Sequence, residues 1–342
     1  MGAVRPQRLA QLGLSRSREI GIARPLLLAL LAGQGKSESS ALSQILKTRY
    51  ALRMPHPLAR IIEQLKREPS RTGSIVITLF GDAIVPRGGA VWLGTLLAFF
   101  ETLDIDSGVV RTAMSRLATD GWLERNKVGR NSFYRLVKKG RQTFDAATHH
   151  IYDPPSPDWT GRFELLLIGA AEDRDASREA LKNAGFGSPL PGVWIAPSGV
   201  PVPEEAAPAI RLEVSAEDDS GRRLLSASWP LQRTADAYLK FMKTFEPLRG
   251  WIGRREPLSD VDAFTARILL IHHYRRVVLR DPLLPTALLP RDWPGRAARQ
   301  LCGEIYRGLL PASEQWLDRN ATNENGPLPA AGKELARRFN EP

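Results

Sequence analysis

Arginine, serine and threonine side chains recur on one side of a helix that the sequence predicts after residue 106. Apolar residues occupy the other side at helical spacing, namely Val110, Ala113, Met114 and Leu117. The polar side carries Arg111, Thr112, Ser115 and Arg116. An arginine can donate two parallel hydrogen bonds to the edge of a guanine, and a hydroxyl can bond to bases or phosphates. These residue types therefore favour contact with a nucleic acid.

Neighbouring elements must position this polar face. Asp106 or Ser107 can cap the helix, because a short oxygen side chain accepts a bond from a free backbone amide, and Gly121 can end it. Two extended runs follow, WLERNKV and SFYRLV, on either side of a Gly129-Arg130-Asn131 turn. A short helix followed directly by a hairpin indicates a winged helix-turn-helix, in which the hairpin forms the wing.

The predicted hairpin is strongly basic. Residues 125–141 contain no acid and seven basic side chains, at Arg125, Lys127, Arg130, Arg135, Lys138, Lys139 and Arg141. Such a hairpin suits a phosphate backbone, because each neutralised phosphate releases counterions. The alternative is a solvated hairpin beside an ordinary helix. The residues predicted to contact DNA are Ser107, Arg111, Thr112, Ser115, Arg116, Arg125, Lys127, Arg130, Asn131 and Arg135.

Two apolar segments precede this region, at residues 74–85 and 90–103. β-Branched residues leave the first open between strand and helix. We expect both to be helices, because a recognition helix needs a scaffold against its apolar face. Together these elements predict a compact domain at residues 70–147.

The charge and composition of the chain limit its class. The 342 residues carry a formal charge of +11, but residues 1–60 hold ten basic and only two acidic side chains. Residues 1–53 are rich in arginine and serine, and we expect a disordered extension, with Met54 as an alternative start of translation. The single cysteine, Cys302, allows no internal disulfide, and no apolar run reaches the roughly 20 residues of a membrane helix. We therefore expect a cytoplasmic protein without membrane contact.

Four stretches resemble a known family. TLFGDAIVPRGGAVWLG, VVRTAMSRLATDGWL, PGVWIAP and HHYRRVVLRDPLLPTALLPRDWPG are similar to the PaaX family of transcriptional repressors, which control phenylacetate catabolism in bacteria. The resemblance runs from about residue 70 to about residue 318. It implies an N-terminal winged helix, a central ferredoxin-like (Cas2-like) domain, a helical C-terminal domain and a homodimer. It also implies release from DNA by an aryl-acyl-CoA such as phenylacetyl-CoA.

The expected fold class is α+β. We predict a basic, mostly disordered extension at residues 1–69, the winged helix domain at 70–147, a stiff proline linker at 153–157, the central domain at 158–250, a helical domain at 251–320 and a flexible tail at 321–342. In the central domain, strands at 163–170, 192–198 and 209–216 and helices at 174–185 and 231–245 are compatible with a small α+β sandwich.

The predicted helix at residues 259–281 carries the candidates for an effector site. Arg275 falls within the apolar stripe of this helix, where a charged group needs an anion. That anion could be a phosphate or carbonyl of a CoA ligand, or an acid of the same domain in a structural ion pair. His272 and His273 diverge by about 100° on a helix, so we predict no metal site. Each of two tryptophans could stack on an adenine or an aryl ring, or could simply be buried in the core. The candidate effector residues are His272, Arg275, Arg276, Trp293 and Trp194.

Three functions are compatible with the sequence. The first is a DNA-binding repressor that acts as a dimer on an inverted repeat and takes an acyl-CoA as its effector. The second is a scaffold protein that binds nucleic acid without sequence preference, and the third is an enzyme, either a Cas2-like nuclease or an acyl-CoA-processing hydrolase. No GxSxG, P-loop, HExxH or GxGxxG after a strand is present, so we predict no enzyme, no catalytic residue and no cofactor.

Overall fold

A computed structural model describes residues 57–137, 144, 147–153, 159–169, 175–215, 219–256 and 258–340. Pro57–Pro342 forms one compact unit. The predicted extension up to residue 56, most of the predicted linker and the basic side chains of Lys138, Lys139 and Arg141 lie outside the described residues. Residues 57–69 differ from the predicted disordered extension, because helix α1 (Pro57–Arg67) buries Leu58, Ile61 and Leu65.

The N-terminal part contains three more helices and a three-stranded sheet. The elements are α2 (Thr72–Leu79), a π-helical turn (Phe80–Ile84), a 3-10 turn (Val85–Arg87), β1 (Ala90–Trp92), α3 (Leu93–Glu101), α4 (Ser107–Thr119), β2 (Leu123–Val128) and β3 (Asn131–Leu136). The segment at 74–85 is helical as predicted. The segment at 90–103 instead begins with a strand, because Ala90–Trp92 pairs antiparallel with β3. Gly88 and Gly89, at φ values of 92° and 76°, make the turn into that strand.

The middle of the chain forms a four-stranded antiparallel sheet. Its elements are β4 (Arg162–Leu167), α5 (Asp175–Asn183), β5 (Gly187–Leu190), β6 (Val193–Pro197), a 3-10 turn (Glu204–Ala206), β7 (Ile210–Ser215) and α6 (Asp219–Ser228). The strand order is β5-β6-β4-β7. Leu181 of α5 packs on one face with Leu166, and Leu225 of α6 packs on the other face with Phe163.

The helix predicted at 231–245 does not belong to this sheet. It is the first part of α7 (Leu231–Gly253), which buries Tyr238, Phe241 and Phe245 in the large core shared by the N-terminal and C-terminal elements. Helix α7 also crosses the predicted domain boundary at residue 250. Neither β5 nor α6 was predicted from the sequence. Strand β5 has only four residues and contains a glycine and a proline, which disfavour a strand.

Two long helices complete the C-terminal part, α8 (Asp260–Val278) and α9 (Gly295–Asn320). Helix α8 is buried around most of its circumference and not only along the predicted stripe. Mixed helices and antiparallel sheets make the fold α+β. No helix in the described ranges is long and apolar enough to cross a membrane.

The C-terminal segment differs from the predicted flexible tail. After α9 the chain forms a two-stranded hairpin, β8 (Thr322–Asn323) with β9 (Gly326–Pro327), and then a 3-10 turn (Lys333–Arg337). Leu328, Leu335 and Phe339 are buried in the large core. The tail has few apolar residues, so its average composition predicts disorder, but those few reach the core and anchor the segment.

Candidate nucleic-acid interface and ligand cavity

The predicted base-contacting side chains lie on α4. Asp106 caps this helix, since its Oδ1 accepts a hydrogen bond of 2.7 Å from the amide of Gly108. Val110 and Met114 are fully buried in the large core. On the opposite side the structure exposes Ser107, Val109, Arg111, Thr112, Ser115 and Arg116. Helix α4 therefore presents one continuous polar face to solvent, as the sequence predicts.

The β2–β3 hairpin follows α4 after a turn at Gly121, which has a φ of 72°. Its strands pair from Leu123 with Leu136 to Val128 with Asn131. Arg125 lies along the hairpin, where its Nε and Nη2 donate to Ser132 Oγ at 3.2 and 2.9 Å. The side chains of Lys127, Arg130 and Asn131 are exposed near the tip. The hairpin thus carries several cations beside the polar face of α4.

Arg135, one of the residues predicted to contact DNA, forms an ion pair within the protein. Its Nη2 forms an ion pair with Glu324, which lies in the turn between β8 and β9. The sequence run from 125 to 141 has no acid, but the fold brings this one from the tail. Arg135 therefore joins the hairpin to the C-terminal segment, and Glu324 partly offsets its positive charge.

His272, one of the candidate effector residues, belongs to the core. It is fully buried, and its Nδ1 lies 3.0 Å from Thr78 Oγ1 on α2. Burial lowers the pKa of His272 to about 2, and burial together with Arg276 lowers the pKa of His273 to about 4. Both rings are therefore neutral at physiological pH. They do not supply positive charge to an anionic ligand.

Within the described residues, Arg275 does not form the ion pair with an acid of its own domain that was one of its two predicted roles. Its Nη2 donates to the Ser74 carbonyl at 3.1 Å and to Ser74 Oγ at 2.9 Å. No carboxylate among the described residues forms an ion pair with it, and its buried Nε has no hydrogen-bond partner there. Burial lowers the pKa of Arg275. By contrast, Arg276 is exposed and donates to Ser70 Oγ at 2.8 Å.

Arg275 lines a cavity of about 160 Å³ between α2, the helical residues 147–152 and α8. Its apolar wall includes Ile77, Trp122, Phe144, Ile151, Ile271 and Leu279. Trp194 and Trp293 do not line this cavity. Trp194 is buried in the core of the sheet, and Trp293 packs edge-on against Tyr238 with ring centroids 6.1 Å apart. Of the predicted effector residues, the structure therefore brings only Arg275 to the cavity.

A buried polar cluster around Asp82 was not predicted. Arg267 Nε donates to Asp82 Oδ2 at 2.7 Å, and Arg338 Nη1 donates to Oδ1 at 2.8 Å. The hydroxyls of Tyr152 and Tyr306 donate to the same Oδ1 at 2.6 and 3.1 Å. An acid within the apolar segment 74–85 was the signal that could have revealed this cluster, since a buried carboxylate needs partners.

The Asp82 cluster keeps its arginines charged. Burial acts to lower the pKa of Arg267, but Asp82, Tyr306 and Glu314 outweigh it and raise that pKa above its usual value. Glu314 accepts from both Arg267 and Arg87, and Arg87 also reaches Asp318 at 2.8 Å. The cluster thus fastens the end of α2 to α8, to α9 and to the tail.

A metal centre finds no support in the described ranges, where no group of three or more His, Cys, Asp or Glu side chains could hold an ion. Cys302 is a buried free thiol whose pKa is raised by burial. The structure accordingly offers an exposed polar face on α4, a basic hairpin and an apolar cavity, and Asp82 of the buried polar cluster lines that cavity.

Comparison with known proteins identifies the family to which this chain belongs. The sequence model for the PaaX-like protein matches residues 71–140, and that for the PaaX-like protein C-terminal domain matches residues 229–319. The transcriptional repressor PaaX of Escherichia coli (strain K12) is 35% identical over 282 residues, which cover 78% of this chain and 89% of that protein. Among solved structures, the uncharacterized protein Rv0674 from Mycobacterium tuberculosis has a TM-score of 0.45 at 22% identity, covering 64% of this chain and 88% of that chain. The chain belongs to the PaaX family of transcriptional repressors.

Proposed function

We propose that this protein represses an aromatic-acid catabolic operon of the phenylacetate type by binding its operator through a winged helix. The observation that carries the proposal is α4, a capped helix with two fully buried side chains beneath a face on which Arg111, Thr112, Ser115 and Arg116 are all exposed. Such a helix can enter the major groove and place arginines against guanine edges. It acts as a regulator in the cytoplasm and not as an enzyme.

The hairpin supplies the contacts that do not depend on sequence. Lys127 and Arg130 project from exposed positions near its tip, while Arg125 is held along the hairpin by Ser132. Contacts of this kind to phosphates fix the register of a protein on DNA. A scaffold that binds any nucleic acid would need only the hairpin. The ordered polar face of α4 favours a protein that distinguishes sequences.

The central sheet supports a homodimer. Its register places four apolar side chains in one row across all four strands, in the order Leu190, Val193, Leu167 and Ile210. Leu190 is 65% exposed and Ile210 is 62% exposed, and the neighbouring Leu212 is 45% exposed. Helix α6 covers only the other end of this face, where Phe163 and Ile195 are buried. An uncovered apolar patch of this kind marks an interaction surface, and a second copy would bury it symmetrically.

This sheet has the strand order of a ferredoxin-like domain, with neighbouring strands antiparallel. It departs from that fold because the connection from β6 to β7 contains only the 3-10 turn Glu204–Ala206 in place of a helix. We assign the domain to dimerisation on an inverted-repeat operator, where two copies of α4 would enter successive major grooves. No metal-binding acidic cluster in the described residues favours a Cas2-like nuclease.

An aryl-acyl-CoA such as phenylacetyl-CoA would release the repressor. A ligand shifts an equilibrium only through unequal affinity for the two states, so it must bind the DNA-free conformation more tightly. Fluorescence anisotropy with the DNA upstream of the gene, at a stated salt concentration and against scrambled competitor, tests both parts of the proposal. We expect specific binding that phenylacetyl-CoA weakens. Equal affinity for scrambled DNA would instead favour the nonspecific scaffold.

A further inference from the structure

The cavity beside Arg275 combines two features that point to a ligand. Among the side chains that line it, most are apolar, and the charged ones are Arg275 and Asp82. Asp82 is already satisfied by Arg267, Arg338, Tyr152 and Tyr306. Among the described residues, Arg275 Nη2 donates to Ser74 and the buried Nε of Arg275 has no hydrogen-bond partner. The electrostatics of the wall therefore favour an oxygen acceptor, with a partial or full negative charge, on an otherwise apolar molecule.

The size of the cavity limits that molecule. A cavity of about 150 Å³ lined by aliphatic and aromatic side chains accommodates benzene, and this cavity measures about 160 Å³. One aromatic ring with a short acyl arm fits such a volume. The adenosine and pantetheine portions of a CoA thioester do not, so they would remain outside the cavity.

We propose that the cavity binds the acyl end of a small aromatic acid, with the guanidinium of Arg275 donating a hydrogen bond to its carbonyl or carboxylate oxygen. The ring would lie among Ile77, Trp122, Phe144 and Ile271. This proposal rests on the proposed function, because it assigns a site to the effector. A free acid and its thioester share this acyl group, and the experiment below separates them.

The position of the cavity connects it to the DNA-facing surface. Trp122 lies between α4 and β2, where its amide donates to the Leu117 carbonyl of α4 and its carbonyl accepts from Val137 at the end of the hairpin. Its ring packs edge-on against Phe144, with centroids 6.5 Å apart. Phe144 in turn lies directly over Gly81, where a Cβ would come within 2.8 Å of its ring. A ligand that displaces either ring would move the junction of helix and wing.

Calorimetric titration of the full chain with three probes tests the proposal. The probes are phenylacetate, phenylacetyl-CoA and CoA alone. We expect one or both acyl probes to bind and CoA alone to bind at least tenfold more weakly. Arg275→Met removes the donor at similar length and should weaken acyl binding about tenfold to hundredfold, the range for a hydrogen bond to a charged group.

Two further variants distinguish loss of the ligand site from misfolding and from a nonspecific effect of removing a charge. Ala147→Phe places a bulky ring at another lining position and leaves the arginine in the sequence, and it should also weaken acyl binding at least tenfold. Arg280→Met is the matched control, because Arg280 is exposed two residues after α8 and does not line the cavity. It should change affinity less than twofold. Thermal melts and DNA binding without probe establish that each variant folds.

Two results would overturn the proposal. One is that wild type binds neither acyl probe, and the other is that Arg275→Met and Ala147→Phe both fold and still bind with unchanged affinity. The second result leaves the whole proposed function standing. The first would also remove phenylacetyl-CoA as the effector, but it would not affect operator binding, which the DNA titration tests separately. Specific DNA binding together with unchanged acyl binding in both variants would place the effector elsewhere. If the acyl probes bind at this cavity but the protein shows no preference for the operator, the ligand site would stand and the proposed repressor mechanism would fail.

Discussion

Arg267 Nε lies 2.7 Å from Asp82 Oδ2, and both side chains are completely buried. Asp82 lies in the region that matches the PaaX-like protein, and Arg267 lies in the region that matches its C-terminal domain. Arg338 of the tail reaches the same carboxylate. One buried acid therefore joins the N-terminal part of the chain to the helical C-terminal part.

Asp82→Asn should destabilise the protein strongly. The variant leaves the buried guanidinium of Arg267 without its full counter-charge, and breaking a buried pair in this way costs about 3–5 kcal/mol. Urea unfolding followed by circular dichroism measures the free energy of unfolding. The matched control is Asp104→Asn, because Asp104 forms an exposed pair with Lys66 at 2.7 Å. Exposed pairs contribute about 0–1 kcal/mol, so equal losses in the two variants would contradict the role of burial.

Arg116→Ala and Lys127→Ala should affect DNA binding differently. Arg116 lies on the polar face of α4, so its loss should reduce the preference for operator over scrambled DNA by about 1–3 kcal/mol. Lys127 lies on the hairpin, so its loss should weaken binding to both DNAs alike and flatten the salt dependence. Anisotropy titrations at several salt concentrations measure both effects. The assignment of α4 to base contacts fails if Arg116→Ala weakens both DNAs equally.

Ile210→Asp should shift the protein from dimer to monomer. Ile210 is at the edge of the apolar row on the central sheet, and a second copy would bury the new charge at an energetic cost. Analytical ultracentrifugation over a range of concentrations measures the dissociation constant. Arg211→Ala is the control, because Arg211 is on the opposite face and pairs there with Glu164. A dimer that tolerates Ile210→Asp must use another surface.

The free energy of unfolding should fall as the pH is lowered from 7.5 to 5.0. Burial lowers the pKa of His272 to about 2, and burial with Arg276 lowers the pKa of His273 to about 4, whereas both titrate near 6.5 when unfolded. The unfolded chain therefore binds more protons below pH 6.5. The stabilisation is complete above that pH and decreases towards the folded pKa values.

Each histidine should contribute about 2 kcal/mol of this loss between pH 6.5 and 5.0. Urea unfolding at pH 7.5, 6.5 and 5.0 measures it, and His273→Gln should remove part of the slope. A stability that stays level down to pH 5.0 would show that the rings become protonated in the folded protein.

Much of α4 and of the β2–β3 hairpin could be predicted from the sequence. The cap at Asp106, the apolar spacing of Val110 and Met114, and the hairpin after Gly121 all appear in the structure as expected. These features depend on contacts between residues a few positions apart. The candidate effector residues were chosen less selectively. Helical spacing placed Arg275 within an apolar stripe, but nothing in the sequence showed that His272, Trp194 and Trp293 would not line the same cavity.

By itself the sequence determined the α+β class, the helix at α4 with the hairpin that follows it, and the resemblance to the PaaX family. Only the tertiary structure decided which charges neutralise one another. Arg135 meets Glu324 across 189 positions, and Arg267 meets Asp82 across 185. The tertiary structure also placed Arg275 beside a cavity where it forms no ion pair with a described carboxylate, since Asp82 in the same wall pairs with Arg267 and Arg338. Periodicity and turn signals report local backbone geometry, whereas such pairings depend on how distant segments pack, and no spacing in the chain encodes that.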